Sequence, residues 1–324
     1  MRAILCETWG GPETLAVRDI PDPVAKPGEV LIRIHAAGVN FPDVLIIQKK
    51  YQVQPELPFI PGAEIAGEIE AVGDDVAGFK VGDRVLALCS IGGFAEKIAL
   101  NAHLCIPIPQ HIPYEIAAGF ILAFGTSHHA LIDRGALKSG ETALILGAAG
   151  GVGLAAVEIA KARGATVIAA ASSDAKLAIC RERGADATIN YTTEDVREAI
   201  KTHTEGRGPD IIFDPVGGRY AEPAFRSIAW RGRYLVIGFA DGEIPRLPLN
   251  LPLLKGASLV GVFWGEFARR EPKNQIAMMQ DLFEMLATEA IRPLISKTYK
   301  LDQVPQALED MAARQVTGKI VIVP

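Results

Sequence analysis

Leu146-Gly147-Ala148-Ala149-Gly150-Gly151-Val152-Gly153-Leu154 is the stretch of this chain whose residue types and spacing point most directly to chemistry. Against the pattern G-x-G-x-x-G, Ala148 takes the first glycine position, and Gly150 and Gly153 take the other two. A side chain at Gly150 would keep the backbone from a pyrophosphate, and its absence at Gly153 lets the following helix pack closely on the preceding strand. The first N–H groups of that helix are unpaired and carry a partial positive charge toward the phosphates. A dinucleotide held by Ala149, Gly150, Gly151, Val152 and Gly153 is therefore expected, and with it hydride transfer. The competing reading is a tight glycine turn without a ligand. The strand before the turn, the helix after it and the further βαβ units downstream speak against that.

The next strand end chooses between the two nicotinamide dinucleotides. An enzyme that uses NAD usually carries Asp or Glu there for the ribose hydroxyls. This chain reads Ala169-Ala170-Ala171-Ser172-Ser173, with Lys176 following on a helix. The ammonium and the two hydroxyls suit a 2′-phosphate, so NADPH is favoured. Asp174 dissents, since a carboxylate beside that phosphate would repel it, and Lys176 also reads as an ordinary solvated helix residue.

Other reactive residues are sparse. Cys6, Cys89, Cys105 and Cys180 lie far apart with no C-x-x-C pair, as in reduced, buried thiols of a cytoplasmic protein. His128 and His129 are adjacent, so on a helix they point about 100° apart and do not chelate one ion together. They read as helix surface or domain interface. Neither G-x-S-x-G nor H-E-x-x-H occurs, which removes the common hydrolase readings.

The elements that must position these residues follow from periodicity. Before about residue 125 the chain is punctuated like β structure. Val30-Leu31-Ile32-Arg33-Ile34-His35 and Ile65-Ala66-Gly67-Glu68-Ile69-Glu70-Ala71-Val72 alternate between turns such as Lys26-Pro27-Gly28-Glu29. After it, strands and helices alternate. Thr142–Leu146 is an unbroken apolar run, as for a strand covered on both faces. Helices are expected over 151–163, 174–183, 194–203 and 219–229, and strands over 165–171, 187–190, 210–213, 233–237 and 258–263. That rhythm predicts an α/β fold with a doubly wound parallel sheet. Later come a helix over 274–287, a strand over 294–299, a helix over 304–314 and a strand over 319–323, read as a return to the first domain. The expected domains are 1–124, 125–265 and 266–324, the last completing the first.

Composition bounds the rest. A chain of 324 residues exceeds one ordinary core. Lys plus Arg number 33 against 38 for Asp plus Glu, a net charge of −5, which argues against a nucleic-acid groove or an anionic membrane surface. With 49% hydrophobic and 22% charged residues the chain buries a large core. The N-terminal apolar run is too short for a signal-peptide core. No stretch spans a bilayer, since glycines and histidines interrupt 116–132.

Taken together, several stretches resemble the zinc-free quinone oxidoreductases of the medium-chain dehydrogenase/reductase superfamily, the ζ-crystallin-like branch. They are Ala37-Gly38-Val39-Asn40-Phe41-Pro42-Asp43, Pro61-Gly62-Ala63-Glu64-Ile65-Ala66-Gly67, Val81-Gly82-Asp83-Arg84-Val85, the glycine loop, Gly184-Ala185-Asp186 with Ile189-Asn190-Tyr191, and Asp214-Pro215-Val216-Gly217-Gly218. The resemblance runs through essentially the whole chain. It implies a GroES-like β-barrel catalytic domain owning both chain ends, a Rossmann domain inserted between them, the cofactor in the cleft, and a homodimer.

Residue roles follow from the resemblance alone. Asn40 approaches the nicotinamide ribose or carboxamide, Asp43 lies beside the active site, and Tyr51 lines the quinone pocket. Thr126 contacts the nicotinamide. Ser172, Ser173, Lys176 and Tyr191 form the adenosine-phosphate site. Gly238, Phe239, Phe263, Trp264 and Gly265 pass near the nicotinamide, and Lys319 lies near the cofactor. A second pocket tyrosine of some members is Leu45 here. Plain structural readings stand beside these: a turn for Asn40, a surface ring for Tyr51, a turn cap for Asp214, core for Phe263 and Trp264. Zinc-dependent relatives carry Cys where Asn40 stands and His where Ala63 stands, and neither residue here supplies a thiolate or imidazole. The four-cysteine lobe of those relatives has no counterpart between Val85 and His103, so no metal is expected.

The functional expectation is zinc-independent hydride transfer from NADPH to a quinone, whose ready reduction needs little carbonyl polarisation. Two alternatives stay open. One is reduction of an α,β-unsaturated ketone or aldehyde; the other is a non-catalytic NADPH-binding protein with a structural or regulatory role.

Overall fold

The computed structural model describes residues 1–324. Its strands, in chain order, are β1 Arg2–Cys6, β2 Leu15–Asp19, β3 Glu29–Val39, β4 Glu64–Val72, β5 Arg84–Leu88, β6 Lys97–Asn101 and β7 Cys105–Pro107. There follow β8 Thr142–Leu146, β9 Thr166–Ala171, β10 Ala187–Asn190, β11 Ile211–Asp214, β12 Arg233–Val236 and β13 Ser258–Gly261, then β14 Ile295–Lys300 and β15 Lys319–Val323. The α-helices are α1 Phe41–Ile46, α2 Tyr114–Ala118, α3 Ile121–His128, α4 Gly151–Ala162, α5 Asp174–Glu182 and α6 Val196–His203. They continue as α7 Ala221–Arg226, α8 Asn250–Lys255, α9 Trp264–Arg270, α10 Pro272–Ala287 and α11 Val304–Ala312. The chain divides into two units, Met1–Leu122 with Pro293–Pro324, and Ala123–Arg292. No helix is long and apolar enough to cross a membrane.

The first unit is built on the alternation read from its sequence. Val30, Ile32 and Ile34 of β3 face one buried cluster with Ile65 and Ile69 of β4 and Val85 of β5. The sheet runs β14-β15-β3-β4-β5-β7, with β6 also on β3. β15 pairs antiparallel with β3, Ile320 opposite Val39 and Ile322 opposite Ala37, and so lies inside this sheet, between β14 and β3. Gly67 is required here, since a Cβ would come within 2.0 Å of the Arg33 carbonyl across the β3–β4 pair.

The second unit is a six-stranded parallel sheet in the order β10-β9-β8-β11-β12-β13. Every residue of β8 is buried, as its unbroken apolar run requires. Each fully buried Leu or Ile there contributes about 1.5–3 kcal/mol. The strand order reverses at β8, with β9 on one side and β11 on the other, and a phosphate loop placed after β8 stands at that switch point.

Three expectations need correction. The C-terminal return begins at Pro293 rather than at 266, because α9 and α10 belong to the second unit. Trp264 packs against Gly125 and donates from Nε1 to Gln275 Oε1 at 3.1 Å. His128 and His129 read as helix surface or domain interface, and the surface reading fails. Both are buried inside the second unit, His128 against Asp281 of α10 at 2.6 Å, and His129 stacked on Phe267 of α9 at 4.1 Å. Burial lowers both imidazole pKa values. The sixth strand is also shorter than 258–263, ending at Gly261 before Phe263 turns into α9.

Candidate active site

In the first unit, three chain segments converge on Asn40. β3 ends at Val39, and Asn40, in extended conformation, caps α1. The antiparallel register sets Glu64 opposite Gly38, and β15 starts at Lys319, one residue before the partner of Val39. Lys319 Nζ donates to Asn40 Oδ1 at 2.5 Å, to Glu64 Oε1 at 2.6 Å and to the Val39 carbonyl at 3.1 Å. Asn40 Nδ2 donates to Glu64 Oε1 at 3.0 Å, and Glu64 Oε2 accepts from the Leu122 N–H at 2.9 Å. All three ammonium protons are thus satisfied by buried acceptors, the condition under which a buried ion pair is tolerated. Gly38 is dictated by the same packing, since a Cβ would meet Glu64 Oε1 and the Ala118 carbonyl at 2.2 Å.

Asp43 lies one helical turn on and is fully buried. Its Oδ2 accepts the Asn40 N–H at 2.8 Å, while its Oδ1 has no partner. Burial pushes this carboxyl up to about 7, against the pull of the Asn40 N–H and the Lys319 charge. The phenol of half-buried Tyr51 and the thiol of Cys89 are both raised, chiefly by burial and then by the Asp43 charge. Leu45, also half-buried, keeps this face apolar. The group therefore holds a carboxyl able to exchange a proton near neutrality next to a phenol, the arrangement general acid chemistry needs.

In the second unit the glycine loop meets the demands of a pyrophosphate. Gly147 has φ +59°. A Cβ on Gly153 would lie 2.2 Å from the Gly147 carbonyl, so helix and turn touch there. A Cβ on Gly150 would meet only that carbonyl, at 3.4 Å, and would otherwise project into open space over the start of α4. That space is what a phosphate requires. Ser127 Oγ donates to the Val152 carbonyl at 2.7 Å and ties α3 to the loop. Ala149 is buried beneath the turn, and Gly151, Val152 and Thr126 are half-buried.

At the end of β9, Lys176 Nζ donates to Ser172 Oγ at 3.3 Å. Ser173 Oγ caps α5 by accepting the Lys176 N–H at 3.4 Å. Asp174 Oδ1 accepts from Asn190 Nδ2 at 2.9 Å, so the dissenting carboxylate is engaged by an amide. Tyr191 lies with its ring 4.4 Å from that of Tyr220. Gly238 follows β12 and donates to the Asp214 carbonyl at 3.3 Å. Phe239 and Phe263 are exposed, the latter by 61%, whereas Trp264 is core and Gly265 half-buried. Asp214 Oδ1 caps the next turn, accepting from Val216 and Gly217 N–H at 2.7 and 2.8 Å, and Tyr234 OH donates to its other oxygen.

Sequence reasoning missed the role of Glu64. An acid opening the apolar run Ile65-Ala66-Gly67 at a strand start is the signal that could have found it, because such an acid is buried only with a partner. The resemblance implies Lys319 near a cofactor, and the geometry commits its ammonium to Glu64 and Asn40.

The two units define a class. Residues 26–110 match the alcohol dehydrogenase GroES-like domain, and residues 151–282 match the zinc-binding dehydrogenase family. The chain is thus a medium-chain dehydrogenase/reductase, with a GroES-like and a Rossmann-type unit. The chain is 38% identical to the quinone oxidoreductase-like protein 2 homolog of Nematostella vectensis, over 99% of its length and 88% of the relative's. It is 33% identical to the quinone oxidoreductase of Homo sapiens, covering 99% of this chain and 97% of that one. Among solved structures, the Escherichia coli quinone oxidoreductase complexed with NADPH superposes with TM-score 0.93 at 27% identity, covering both chains fully. Within the superfamily this chain belongs to the quinone oxidoreductase family.

Proposed function

We propose that this chain is a zinc-independent reductase that takes hydride from NADPH and delivers it to a quinone. The observation that carries the reading is the lysine-centred network around Asn40. It consists of an amide, a carboxylate and an ammonium, with Ala63 in place of an imidazole, and it fixes the Asn40 amide beside the Asp43 carboxyl that can supply a proton. The quinone oxidoreductase relatives and the NADPH bound by the Escherichia coli protein support the cofactor and the acceptor.

NADPH supplies the hydride when bound. The chain's own residues do the rest. The loop N–H groups from Gly150 to Gly153 hold the pyrophosphate. Ser172 and Lys176 take the 2′-phosphate, and Tyr191 flanks the adenosine. Thr126, Gly238, Phe239, Phe263 and Gly265 are assigned to the nicotinamide end. Lys319 and Glu64 hold the Asn40 amide in a single orientation. Asp43 stores the proton that the reduced acceptor needs, and Tyr51 passes it on. Apolar Leu45 and the buried surroundings exclude water.

Reduction of an α,β-unsaturated carbonyl is the second reading, favoured by the same Asp43: an enone needs its oxygen protonated or polarised more than a quinone does. NADPH oxidation followed at 340 nm against a panel of quinones and enones, repeated with NADH and with a chelator, separates the two. The quinone reading expects turnover of quinones, preference for NADPH and no effect of the chelator. Saturated product from enones without quinone turnover would select the second. We further read the protein as a cytoplasmic homodimer. Its four cysteines are unpaired. The edge strand β13 exposes Leu259, and α8, which precedes it in the chain, exposes Leu253 and Leu254.

A further inference from the structure

One charged hollow of the second unit takes no part in the dinucleotide site described above. α6, α7 and the segment 243–246 line a cavity of about 530 Å³. Into it come Arg197, Arg219, Arg226 and Arg246 against Glu222 and Glu243. With Asp241, whose carboxylate lies against Gly218 of the lining, four guanidinium groups and three carboxylates leave one net positive charge, on a chain whose total is −5. The local sign therefore opposes that of the molecule.

The arginines are not neutralised alike. Arg226 pairs with Glu222 at 2.6 Å. Arg219 lies over the Tyr220 ring at 4.9 Å and donates to its hydroxyl at 2.8 Å, which fixes the plane of its guanidinium. Arg197 and Arg246 have no carboxylate within ion-pair distance and no side-chain hydrogen bond. The start of α6 adds nothing to the charge, because Asp195 Oδ1 already accepts from the Arg197 and Glu198 N–H groups at 2.9 and 3.0 Å. Like charges brought together in a concavity raise the local potential, and a bound anion relieves it. Planar guanidinium forks match phosphate oxygens two at a time. The volume lies within the range of small-molecule sites.

We propose that this hollow is a binding site for a small phosphate-bearing anion, distinct from the dinucleotide. Tyr220 joins the two regions, with Arg219 on it and Tyr191 4.4 Å away, yet no residue of the hollow belongs to the glycine loop or to the end of β9.

The test is calorimetric titration of inorganic pyrophosphate into the full-length protein saturated with NADPH, with saturation followed by nicotinamide fluorescence. One further site is expected. Its affinity should fall about tenfold or more in the Arg197→Ala/Arg246→Ala double variant, as loss of charge-assisted hydrogen bonds requires. It should also weaken with added salt, while the variant keeps the wild-type affinity for NADPH. The proposal is overturned by absence of binding once NADPH is bound, or by equal affinity in the double variant. It is also overturned if the variant loses NADPH affinity by the same factor, which would assign these arginines to the cofactor. Should NADPH itself not bind, the cofactor reading fails separately. The same titration on cofactor-free protein then decides the site by its dependence on Arg197 and Arg246.

Discussion

Lys319 Nζ sits 2.6 Å from Glu64 Oε1 with both side chains buried, joining the last strand of the chain to β4 across 255 residues. Each partner would be costly alone, since an unpaired buried charge loses several kcal/mol of solvation. Together they clamp the Asn40 amide from both ends, oxygen to Lys319 and nitrogen to Glu64. The orientation of Asn40 is thus fixed by the closure of the first unit together with its local contact to the Gly38 carbonyl at 3.4 Å.

Removing one partner should therefore cost far more than removing both. Lys319→Met leaves Glu64 buried and uncompensated, and a loss of about 3–5 kcal/mol is expected in urea unfolding. Adding Glu64→Gln to it should recover about half of that loss. A single variant within 1 kcal/mol of wild type, roughly the size of an exposed ion pair, would show that the pair is not buried in solution.

Asp43 and Glu158 give stability a pH dependence of unusual sign. Burial pushes both up to about 7 in the folded protein, whereas unfolded carboxyls titrate near 4. Between those values the folded chain binds more protons than the unfolded one. Their contribution is therefore complete below about pH 4 and lost as pH rises toward 7, at up to about 1.4 kcal/mol per pH unit for each group. Asp43→Asn cannot ionise, so its stability should fall less steeply between about pH 5 and 7. Parallel stability curves for wild type and variant would refute the assignment for Asp43.

The glycine loop, β8 and α4 were legible because their requirements are local: an apolar strand, a turn free of Cβ atoms, a helix start. The alternation of β3 and β4 was legible for the same reason. The Glu64–Lys319 pair was not, since it exists only once β15 has docked on β3, and no short-range pattern encodes that register. The amphipathic spacing of α10 announced that one face is buried. It does not say that the partners of that helix are His128 and Trp264 rather than the barrel strands, which is why the return to the first unit begins at Pro293 and not at 266.

Two glycines of one loop should behave oppositely. Gly153→Ala forces a Cβ to 2.2 Å from the Gly147 carbonyl, a backbone atom that cannot swing aside. It should destabilise the fold by about 1–3 kcal/mol or more. Gly150 has φ −77° and ψ 172°, which alanine adopts freely. Gly150→Ala should change stability by less than about 0.5 kcal/mol while weakening NADPH binding, read by nicotinamide fluorescence. Equal thermal destabilisation by both, or unchanged NADPH affinity in Gly150→Ala, would contradict the division of labour.

Lys176 is held by Ser172 at the end of β9, where a 2′-phosphate would replace the hydroxyl as its partner. Lys176→Ala should raise KM for NADPH about tenfold, the worth of one charge-assisted hydrogen bond, and leave KM for NADH nearly unchanged. Equal rises with both cofactors would make Lys176 a support of the fold instead.

β13 closes one side of the parallel sheet with its outer edge unpaired. An open edge presents free N–H and C=O groups to another strand. The apolar side chains around it are left in water: Leu259 on the strand, Leu253 at 76% exposure on α8, and Trp230, whose ring faces Gly256 at the end of α8. A second copy of the same patch would satisfy both the edge and the side chains, which is the self-complementary contact of a two-fold dimer. Light scattering should give twice the chain mass for the wild type. Leu253→Lys/Leu259→Lys should shift it to the mass of one chain, because a buried ammonium on each side of a two-fold axis repels its own image. A double variant that keeps the wild-type mass would place the dimer contact elsewhere on the molecule.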